Sequence, residues 1–471
     1  MMYYSTKNAQ NRVSLRQAVL QGLPADNGLY LPETLPRLDR ELFIRLPQLS
    51  LPELAYEVAA PFCVPDLPED SLRRLVADVL DFPLPLVELA DGSRALELFH
   101  GPTLAFKDFG ARFMARLLAG FVRDSGRKLT ILAATSGDTG SAVASGFFGV
   151  EGIDVVILYP KGKVSPSQEY QLTMHGGNIR ALRINGSFDD CQRMVKSAFL
   201  DSGLQAQRQL SSANSINIAR LIPQMFYYFY AWSRLPVAVR AAPLFSVPSG
   251  NFGNLTAGLM AQRMGLPIAG FVAANNRNNI FTEYLAGGGY HPKPSVQTVS
   301  NAMDVGDPSN FQRLLALCTN NLEAIRSDIS SHWFDDAATR RAIREVAETQ
   351  GYILDPHGAV AWLALQKELK QAAVAGRFYS AGVFLETAHP AKFRETVEPE
   401  IGRLLPVPPA LQPDASYVNH AVDLPADYSR LHDWLLDTAD GSCTSTVSAS
   451  AAGNSAEAAS GSRGGNVETS L

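Results

Sequence analysis

The sequence predicts an α/β protein in which two domains built on parallel sheets follow a mostly helical N-terminal domain. Three short stretches, 129–134, 153–159 and 244–247, indicate buried strands because they are apolar almost throughout. The first and the third each lead into a polar, glycine-containing loop and then into a helical pattern. This repeated order of strand, loop and helix favours parallel sheets with helices on both faces.

The N-terminal domain occupies residues 1 to about 90. Apolar side chains recur at helical spacing in 13–20, and proline-rich stretches separate further short helices. The run Gly-Leu-Tyr-Leu-Pro at 28–32 predicts an extended turn between them. In the domains that follow, helices are predicted over 141–148 and 255–264, each directly after a polar loop.

The last third of the chain changes character twice. Residues 310–375 are predicted to be helical, and 383–385 form a late strand that runs into Glu-Thr-Ala-His-Pro. After about residue 440 the composition is dominated by Ser, Ala, Gly, Asn and Thr. Such a tail cannot bury enough apolar surface to offset its chain entropy, so we predict that 440–471 is disordered.

Composition and charge exclude several functional classes. A net charge of -5 and a pI near 5.9 argue against a nucleic acid or an anionic membrane as partner. No stretch of 18 apolar residues and no secretory signal occurs, so we expect a cytoplasmic protein. The four cysteines and eight histidines are scattered without the spacing of a disulfide framework or a zinc site.

Lys107 is the strongest candidate for a catalytic residue. It lies between Phe106 and Phe109 in the run from His100 to Gly110. Burial would lower the pKa of this lysine, and the neutral amine can condense with an aldehyde. A lysine near two aromatic rings is more often a surface residue whose stem covers the core, so the rest of the chain must decide.

Two loops between a strand and a helix are suited to bind anions. In Ser-Gly-Asn-Phe-Gly-Asn (249–254), free backbone N–H groups at a helix start would face the ligand, although a tight turn alone explains such a loop about as well. The second loop, 135–141, is rich in hydroxyl groups and glycine. Lysines, serines, asparagines and an arginine between 161 and 220 would add positive charge, and a solvated basic loop is the alternative interpretation. Neither a P-loop nor a dinucleotide fingerprint is present.

Taken together, these segments resemble the threonine synthase family of fold-type II enzymes, which depend on pyridoxal 5'-phosphate (PLP). The resemblance covers about 1–430 and rests on motifs at 3–7, 13–23, 28–33, 101–109, 135–142, 249–254 and 387–393. It implies the tryptophan synthase β-like fold, with an N-terminal domain at 1–92 and a catalytic region at 93–430. In that region the cofactor would occupy the cleft between two α/β subdomains.

The resemblance also implies roles for individual residues. Lys107 would bind the cofactor's aldehyde as a Schiff base and then transfer protons, and Thr387 would hydrogen-bond the pyridine nitrogen. The cofactor phosphate would be held by Gly250, Asn251, Phe252 and Asn254. Asp138 takes a position where relatives place an asparagine against the cofactor's 3'-oxygen, and its carboxylate would be repelled there unless one of the two groups is protonated. The candidates for binding the substrate's phosphate and carboxylate are Ser136, Thr139, Lys163, Asn214, Asn217 and Arg220.

The implied reaction converts O-phospho-L-homoserine and water to L-threonine and phosphate, the last step of threonine biosynthesis. Water must enter only after the elimination, so we expect the smaller domain to close over the substrate.

The enzyme alternative is another PLP lyase of this fold, threonine dehydratase or a phospho-amino-acid lyase. Basic residues in 161–220 favour a phosphorylated substrate over a plain hydroxy amino acid. A binding protein that has kept the fold is the alternative from another class. We expect a small-molecule substrate and a monomer or homodimer, with no nucleic-acid, membrane or metal partner.

Overall fold

The computed structural model describes residues 1–135, 137–287, 289–413 and 416–437 of the 471-residue chain. The tail predicted to be disordered, 440–471, lies outside these residues, as does Ser136. In chain order the strands are β1 (Met2–Ser5), β2 (Asn8–Ser14), β3 (Tyr30–Pro32), β4 (Leu86–Glu88), β5 (Arg94–Glu97), β6 (Leu129–Ala134), β7 (Ile153–Pro160), β8 (Ile179–Asn185), β9 (Gln209–Ser212), β10 (Pro243–Pro248), β11 (Gly270–Asn275), β12 (Ile329–Trp333), β13 (Ala381–Glu386) and β14 (Val422–Pro425).

Helices separate most of these strands. In chain order they are α1 (Leu15–Gln21), α2 (Arg40–Arg45), α3 (Leu51–Cys63), α4 (Glu69–Val79), α5 (Lys107–Ser125), α6 (Asp138–Phe147), α7 (Pro166–Thr173), α8 (Phe188–Leu200), α9 (Ser202–Gln207), α10 (Ile218–Leu221), α11 (Met225–Arg234), α12 (Gly253–Arg263), α13 (Ile280–Leu285), α14 (Phe311–Leu317), α15 (Leu322–Asp328), α16 (Asp336–Gln350), α17 (Pro356–Val374), α18 (Arg394–Ile401) and α19 (Tyr428–Asp437).

Two parallel sheets confirm the predicted α/β class. One has five strands in the order β14-β8-β7-β6-β9, and the other has six in the order β12-β11-β10-β13-β5-β4. Only the edge strand β4 of the second sheet is antiparallel to its neighbour. Strands β6, β11 and β13 are buried along their whole length, which explains their continuous apolar sequences.

The N-terminal region contains the expected helices and also a sheet that the sequence analysis missed. Strands β2, β1 and β3 form an antiparallel sheet in that order. Most of β2 is exposed, and its sequence Asn-Ala-Gln-Asn-Arg-Val-Ser shows no regular apolar alternation. Pairing with β1 therefore decides the conformation of this segment, because local propensity does not.

Two further differences from the sequence-based expectations concern boundaries. Strand β4 already belongs to the six-stranded sheet, so that sheet begins before the predicted division at 92/93. The predicted end at 430 falls inside α19, whose Leu431 and Leu435 are buried in the core of the five-stranded sheet. In the predicted helical stretch 310–375, the edge strand β12 interrupts the helices, and its mixed sequence Ile-Ser-Ser-His-Trp gave no clear strand signal.

The carboxyl ends of strands from both parallel sheets face one cleft. Residues that follow β6, β9, β10 and β13 line it, together with the start of α5. This is the edge at which open parallel sheets bind ligands. Among the described helices, none combines the length and the apolar character that a membrane span requires.

Candidate active site

Lys107 is the first residue of α5, and the loop before it is fixed by the segment that follows the neighbouring strand β13 and by α11. The backbone N–H of Phe106 donates to the carbonyl oxygen of Thr387 at 2.8 Å, and the Tyr227 hydroxyl donates to the Phe106 carbonyl at 2.7 Å. The Lys107 ammonium lies 5.7 Å from the centroid of the Phe106 ring. The amine therefore has a defined position in the cleft wall.

The surroundings of Lys107 favour its neutral form. Burial lowers the pKa of Lys107 to about 8; the Asp138 carboxylate opposes this shift, while the cations Arg220 and Lys392 add to it. An amine with a pKa near 8 is present in part as the free base at neutral pH, which is the form that attacks an aldehyde.

The loop 249–254 has the shape of an anion cradle. Phe252 adopts a left-handed conformation with φ of 60° at the start of α12, which turns the chain sharply between β10 and the helix. A Cβ atom on Gly250 would lie 2.8 Å from Met303 Cα, so this position accepts glycine only. The free N–H groups of the helix start and the close approach of the chain suit a phosphate group.

The side-chain amides of Asn251 and Asn254, in the loop 249–254, have hydrogen-bond donors that the contacts of their oxygens do not use. The Asn251 side-chain oxygen accepts from the backbone N–H of Ser309 at 3.0 Å and from its hydroxyl at 2.9 Å, so the amide NH₂ is not needed there. The Asn254 side-chain oxygen accepts from Tyr228 at 2.7 Å, and its buried Nδ2 has no partner. Both residues line the cleft.

A second group of polar residues follows β9. Asn214 donates through Nδ2 to the Ala134 carbonyl at 3.0 Å, while its buried Oδ1 has no partner. Arg220 donates through Nη1 to the Ala213 carbonyl, and its buried Nε is unpartnered. Burial lowers the pKa of Arg220 to about 10, and the guanidinium stays charged at neutral pH. A buried cation with a donor to spare favours an anionic ligand.

The donor set of this cleft fits a ligand that carries both an aldehyde and a phosphate. Lys107 provides the amine, and the buried Asn254 Nδ2 is a donor without an acceptor in the protein. Orphaned buried donors are costly, so a ligand that supplies acceptors would stabilise this arrangement. Thr387, at the end of β13, is 6% exposed and lines the same cleft.

Asp138 does not face the cleft as an unpaired acid. It is the first residue of α6, and the Lys392 ammonium lies 2.8 Å from its Oδ1, to which Gln168 Nε2 also donates at 3.1 Å. Burial raises the pKa of Asp138, but Lys392 and then Lys107 lower it more, so the carboxyl is ionised at neutral pH. Lys392 lies within the motif 387–393 that carried the resemblance, but its sequence position gave no sign of this ion pair.

Five of the six predicted substrate-binding residues divide into three groups. Thr139, Asn214 and Arg220 line the cleft. Lys163 is exposed on the loop 161–165, and the described lining residues do not include it. Ser136 lies outside the described residues.

Asn217 has a structural role that its sequence position did not reveal. Its Nδ2 donates to the carbonyl oxygens of Val19 at 2.9 Å and Ser212 at 3.1 Å, and its Oδ1 caps α10 by accepting from Ala219 N–H at 3.0 Å. The side chain is fully buried and is not among the described residues that line the cleft. The structure thus corrects the expectation that Asn217 meets the substrate, because every polar atom of its amide is already occupied.

The sequence analysis also missed His357, which lines the cleft near the start of α17. Its Nδ1 lies 2.5 Å from Asp355 Oδ1, and its Nε2 accepts from the Ala302 backbone N–H at 3.2 Å. The loop 301–305 that it holds forms one wall of the cleft. The run Asp-Pro-His-Gly at 355–358, an N-cap signature, was the available sequence signal.

Comparisons with known proteins show the family of this chain. Residues 83–379 match the family described as pyridoxal-phosphate dependent enzyme, and residues 2–79 match the threonine synthase N terminus. A threonine synthase of Haemophilus influenzae is 45% identical over 436 residues, which cover 93% of this chain and 100% of the relative.

Two solved structures extend the similarity to three dimensions. The crystal structure of threonine synthase from Escherichia coli has a TM-score of 0.86 at 42% identity, covering 93% of this chain and 100% of its own. The structure of PLP-bound threonine synthase from Brucella melitensis has a TM-score of 0.84 at 35% identity, covering 92% and 98%.

Proposed function

Because this chain belongs to the threonine synthase family of pyridoxal-phosphate-dependent enzymes, we propose that its cleft converts O-phospho-L-homoserine and water to L-threonine and phosphate. The protein is a PLP-dependent lyase of threonine biosynthesis. The observation that carries the choice of substrate is the buried Arg220 guanidinium, whose Nε is unpartnered in the same cleft as Lys107.

The proposed cofactor site uses the residues whose donors are free. Lys107 would form the imine bond to the cofactor, and Thr387 would face the pyridine nitrogen. The phosphate would be bound by Gly250, Asn251, Phe252 and Asn254. When bound, PLP would supply an electron sink that makes the proton on the carbon bearing the substrate's amino group acidic. A hydroxyl at 387 does not enforce a protonated ring nitrogen, so proton control depends more on the protein.

Lys107 is the proposed acid and base of the reaction. Its amine removes the Cα proton of the substrate and later one from Cβ, and it returns protons as the product forms. Phosphate leaves from Cγ, which takes up a proton, and the hydroxyl of water joins Cβ. A pKa near 8 lets one group both accept and return protons at neutral pH.

Arg220, Asn214 and Thr139 are the proposed contacts of the substrate's anionic groups, and Asn214 would reach an anion through the second hydrogen of its Nδ2, since its unpartnered Oδ1 is an acceptor. All three line the cleft, and the unpartnered Arg220 Nε supports a charge-assisted hydrogen bond. Ser136 stays a proposal on sequence grounds, and Lys163 could contribute only if its exposed loop moved with closure of the smaller domain.

Product analysis tests the proposed function. Wild-type enzyme given O-phospho-L-homoserine should release L-threonine and phosphate in equal amounts, and a plain elimination would release 2-oxobutanoate instead. Lys107→Ala should lose turnover and the imine that borohydride traps. Lys107→Arg keeps the charge but not the nucleophile, so it should be equally inactive. Absence of threonine from the wild type would contradict the substrate, and an active Lys107→Ala would contradict the mechanism.

We also propose a monomer or homodimer in the cytoplasm. The three described cysteines, Cys63, Cys191 and Cys318, are buried free thiols, which suits a reducing compartment. Sedimentation of the purified chain at two concentrations would establish the oligomeric state.

A further inference from the structure

Lys392 has its whole side chain buried, with 0% exposure, and its ammonium makes two short contacts. Its Nζ lies 2.8 Å from Asp138 Oδ1 and donates to the Thr103 carbonyl at 2.9 Å. Burying an ammonium is costly unless it is paired and hydrogen-bonded. These contacts satisfy that requirement and fix the group beside the cleft.

The ion pair joins the two parallel-sheet units. Asp138 starts α6, directly after the loop that follows β6 of the five-stranded sheet. Lys392 lies in the short 3-10 turn Pro390–Phe393, which follows β13 of the six-stranded sheet. Thr103, the third member, lies in the segment that leads to Lys107. The pair therefore lies where both units meet the reactive lysine.

Several charged groups act on Lys107 from the elements around it. The Asp138 carboxylate of α6 stabilises the ammonium form, whereas Arg220 of α10 and Lys392 destabilise it. Other titratable groups of the cleft wall are Tyr227, His357 and Asp304. Burial raises the pKa of Tyr227 well above its ordinary value, so this group is neutral. Asp138 is thus the carboxylate that acts directly on Lys107.

We propose that Lys392 is a positioning residue: it holds the Asp138 carboxylate in its own ion pair, which keeps that carboxylate from pairing with Lys107 and leaves Lys107 free to react as an amine. This inference rests on the proposed function, because it explains what keeps the base of that reaction unprotonated. The pKa of Lys107 agrees in direction: burial is the main cause of its lowering, the Asp138 carboxylate opposes this shift, and the cations Arg220 and Lys392 add to it.

The test measures Schiff-base formation rather than turnover. PLP-free enzyme is mixed with PLP, and the rate constant of imine formation is followed by absorbance from pH 6 to 10. In Lys392→Met, Asp138 should turn to Lys107 and raise its pKa. The midpoint of the profile should move up by about one pH unit, which makes imine formation about tenfold slower at pH 7. Lys392→Arg keeps the charge and should stay near the wild-type profile.

Removing the Asp138 carboxylate should shift the midpoint of imine formation in the opposite direction. Asp138→Asn alone should move the midpoint to lower pH, and Asp138→Asn with Lys392→Met should return it towards the wild type. Lys370→Met, which removes an exposed lysine of α17, is the control for loss of charge as such.

An unshifted or acid-shifted profile in Lys392→Met would overturn the proposal, as would a double variant that shifts as far as Lys392→Met. If Lys392→Met does not fold, Asp138→Asn decides, because an unchanged midpoint there contradicts the proposal. Threonine release by the wild type is measured separately, so failure of the proposed function is distinguishable from failure of this inference.

Discussion

The side-chain oxygen of Asn251 is occupied by Ser309, which donates to it through its backbone N–H at 3.0 Å and through its hydroxyl at 2.9 Å. This contact fixes the orientation of the amide, and it leaves the NH₂ group of Asn251 to face a ligand in the cleft. Ser309 thus orients one hydrogen-bond donor of the proposed phosphate-binding loop 249–254.

Ser309→Ala should weaken cofactor binding without abolishing it. The variant removes one of two hydrogen bonds to Asn251, which contributes about 0.5–1.5 kcal/mol, so the Kd of PLP should rise about two- to tenfold. Equilibrium dialysis of the PLP-free enzyme measures this value. Ser327→Ala removes a hydroxyl that bonds only within its own helix, and it should leave the Kd unchanged. An equal effect of both variants would contradict the orienting role.

Gly250→Ala should lose PLP affinity more severely. The added Cβ would lie 2.8 Å from Met303 Cα and 3.0 Å from the Ala302 carbonyl oxygen, so the loop must shift away from its present position. Overpacking of this kind costs about 1–3 kcal/mol. Thermal denaturation with and without PLP should show lower stability and a smaller shift by the cofactor. Gly176→Ala, whose Cβ would meet no atom within 4 Å, is the matched control.

Glu386 and Asp355 form a buried pair of carboxyl groups behind Thr387. Burial, and then the Asp355 carboxylate, raise the pKa of Glu386 well above its ordinary value. Burial opposes ionisation of Asp355 too, but His357 holds its pKa below the ordinary value. The Asp355 N–H also donates to Glu386 Oε2 at 3.3 Å. Glu386 is therefore the member of the pair that keeps its proton to the higher pH.

The stability of Glu386→Gln relative to wild type should rise with pH. A carboxyl with a raised pKa stabilises the folded state fully below its unfolded pKa of about 4.3, and this contribution is lost as pH rises towards the folded pKa. The wild-type free energy of unfolding then falls by up to about 1.4 kcal/mol per pH unit. The glutamine side chain does not titrate, so the variant lacks this dependence. Urea denaturation of both proteins from pH 5 to 8 measures the difference. A difference independent of pH would show that Glu386 ionises normally; exposed Glu345→Gln is the control.

Arg313 is fully buried and links the N-terminal region to the cleft. It donates to the Tyr30 carbonyl at 3.0 Å, the Ser215 carbonyl at 3.0 Å, the Ile216 carbonyl at 2.6 Å and Asn310 Oδ1 at 2.7 Å. Lysine cannot reproduce this fork of donors. Arg313→Lys should lower the free energy of unfolding by about 2–4 kcal/mol, measured by urea denaturation. Exposed Arg341→Lys should change it little, and equal effects would contradict the linking role.

Much of the architecture follows from the sequence because it depends on local patterns. Continuous apolar runs identified the strands β6, β7 and β10, and the loops after β6 and β10 identified one edge of the cleft. Lys107 and Gly250 could be singled out because a Schiff base needs an amine and because the close approach of the chain at 250 leaves no room for a Cβ atom. Strands β2 and β12 were not, since neither of these edge strands shows a regular apolar alternation and both depend on their partners.

The tertiary structure decided which polar residues line the cleft and which of them keep an unpartnered atom there. Asn214 and Asn217 are three residues apart and chemically identical. Asn214 keeps an unpartnered oxygen at the cleft, whereas the amide of Asn217 is hydrogen-bonded to backbone groups. The charge state of Asp138 depends on Lys392, which lies far along the chain. Sequence alone determined which groups are available; burial and partners distant in the chain fixed which of them remain free to bind, because hydrogen bonding and desolvation are set by packing.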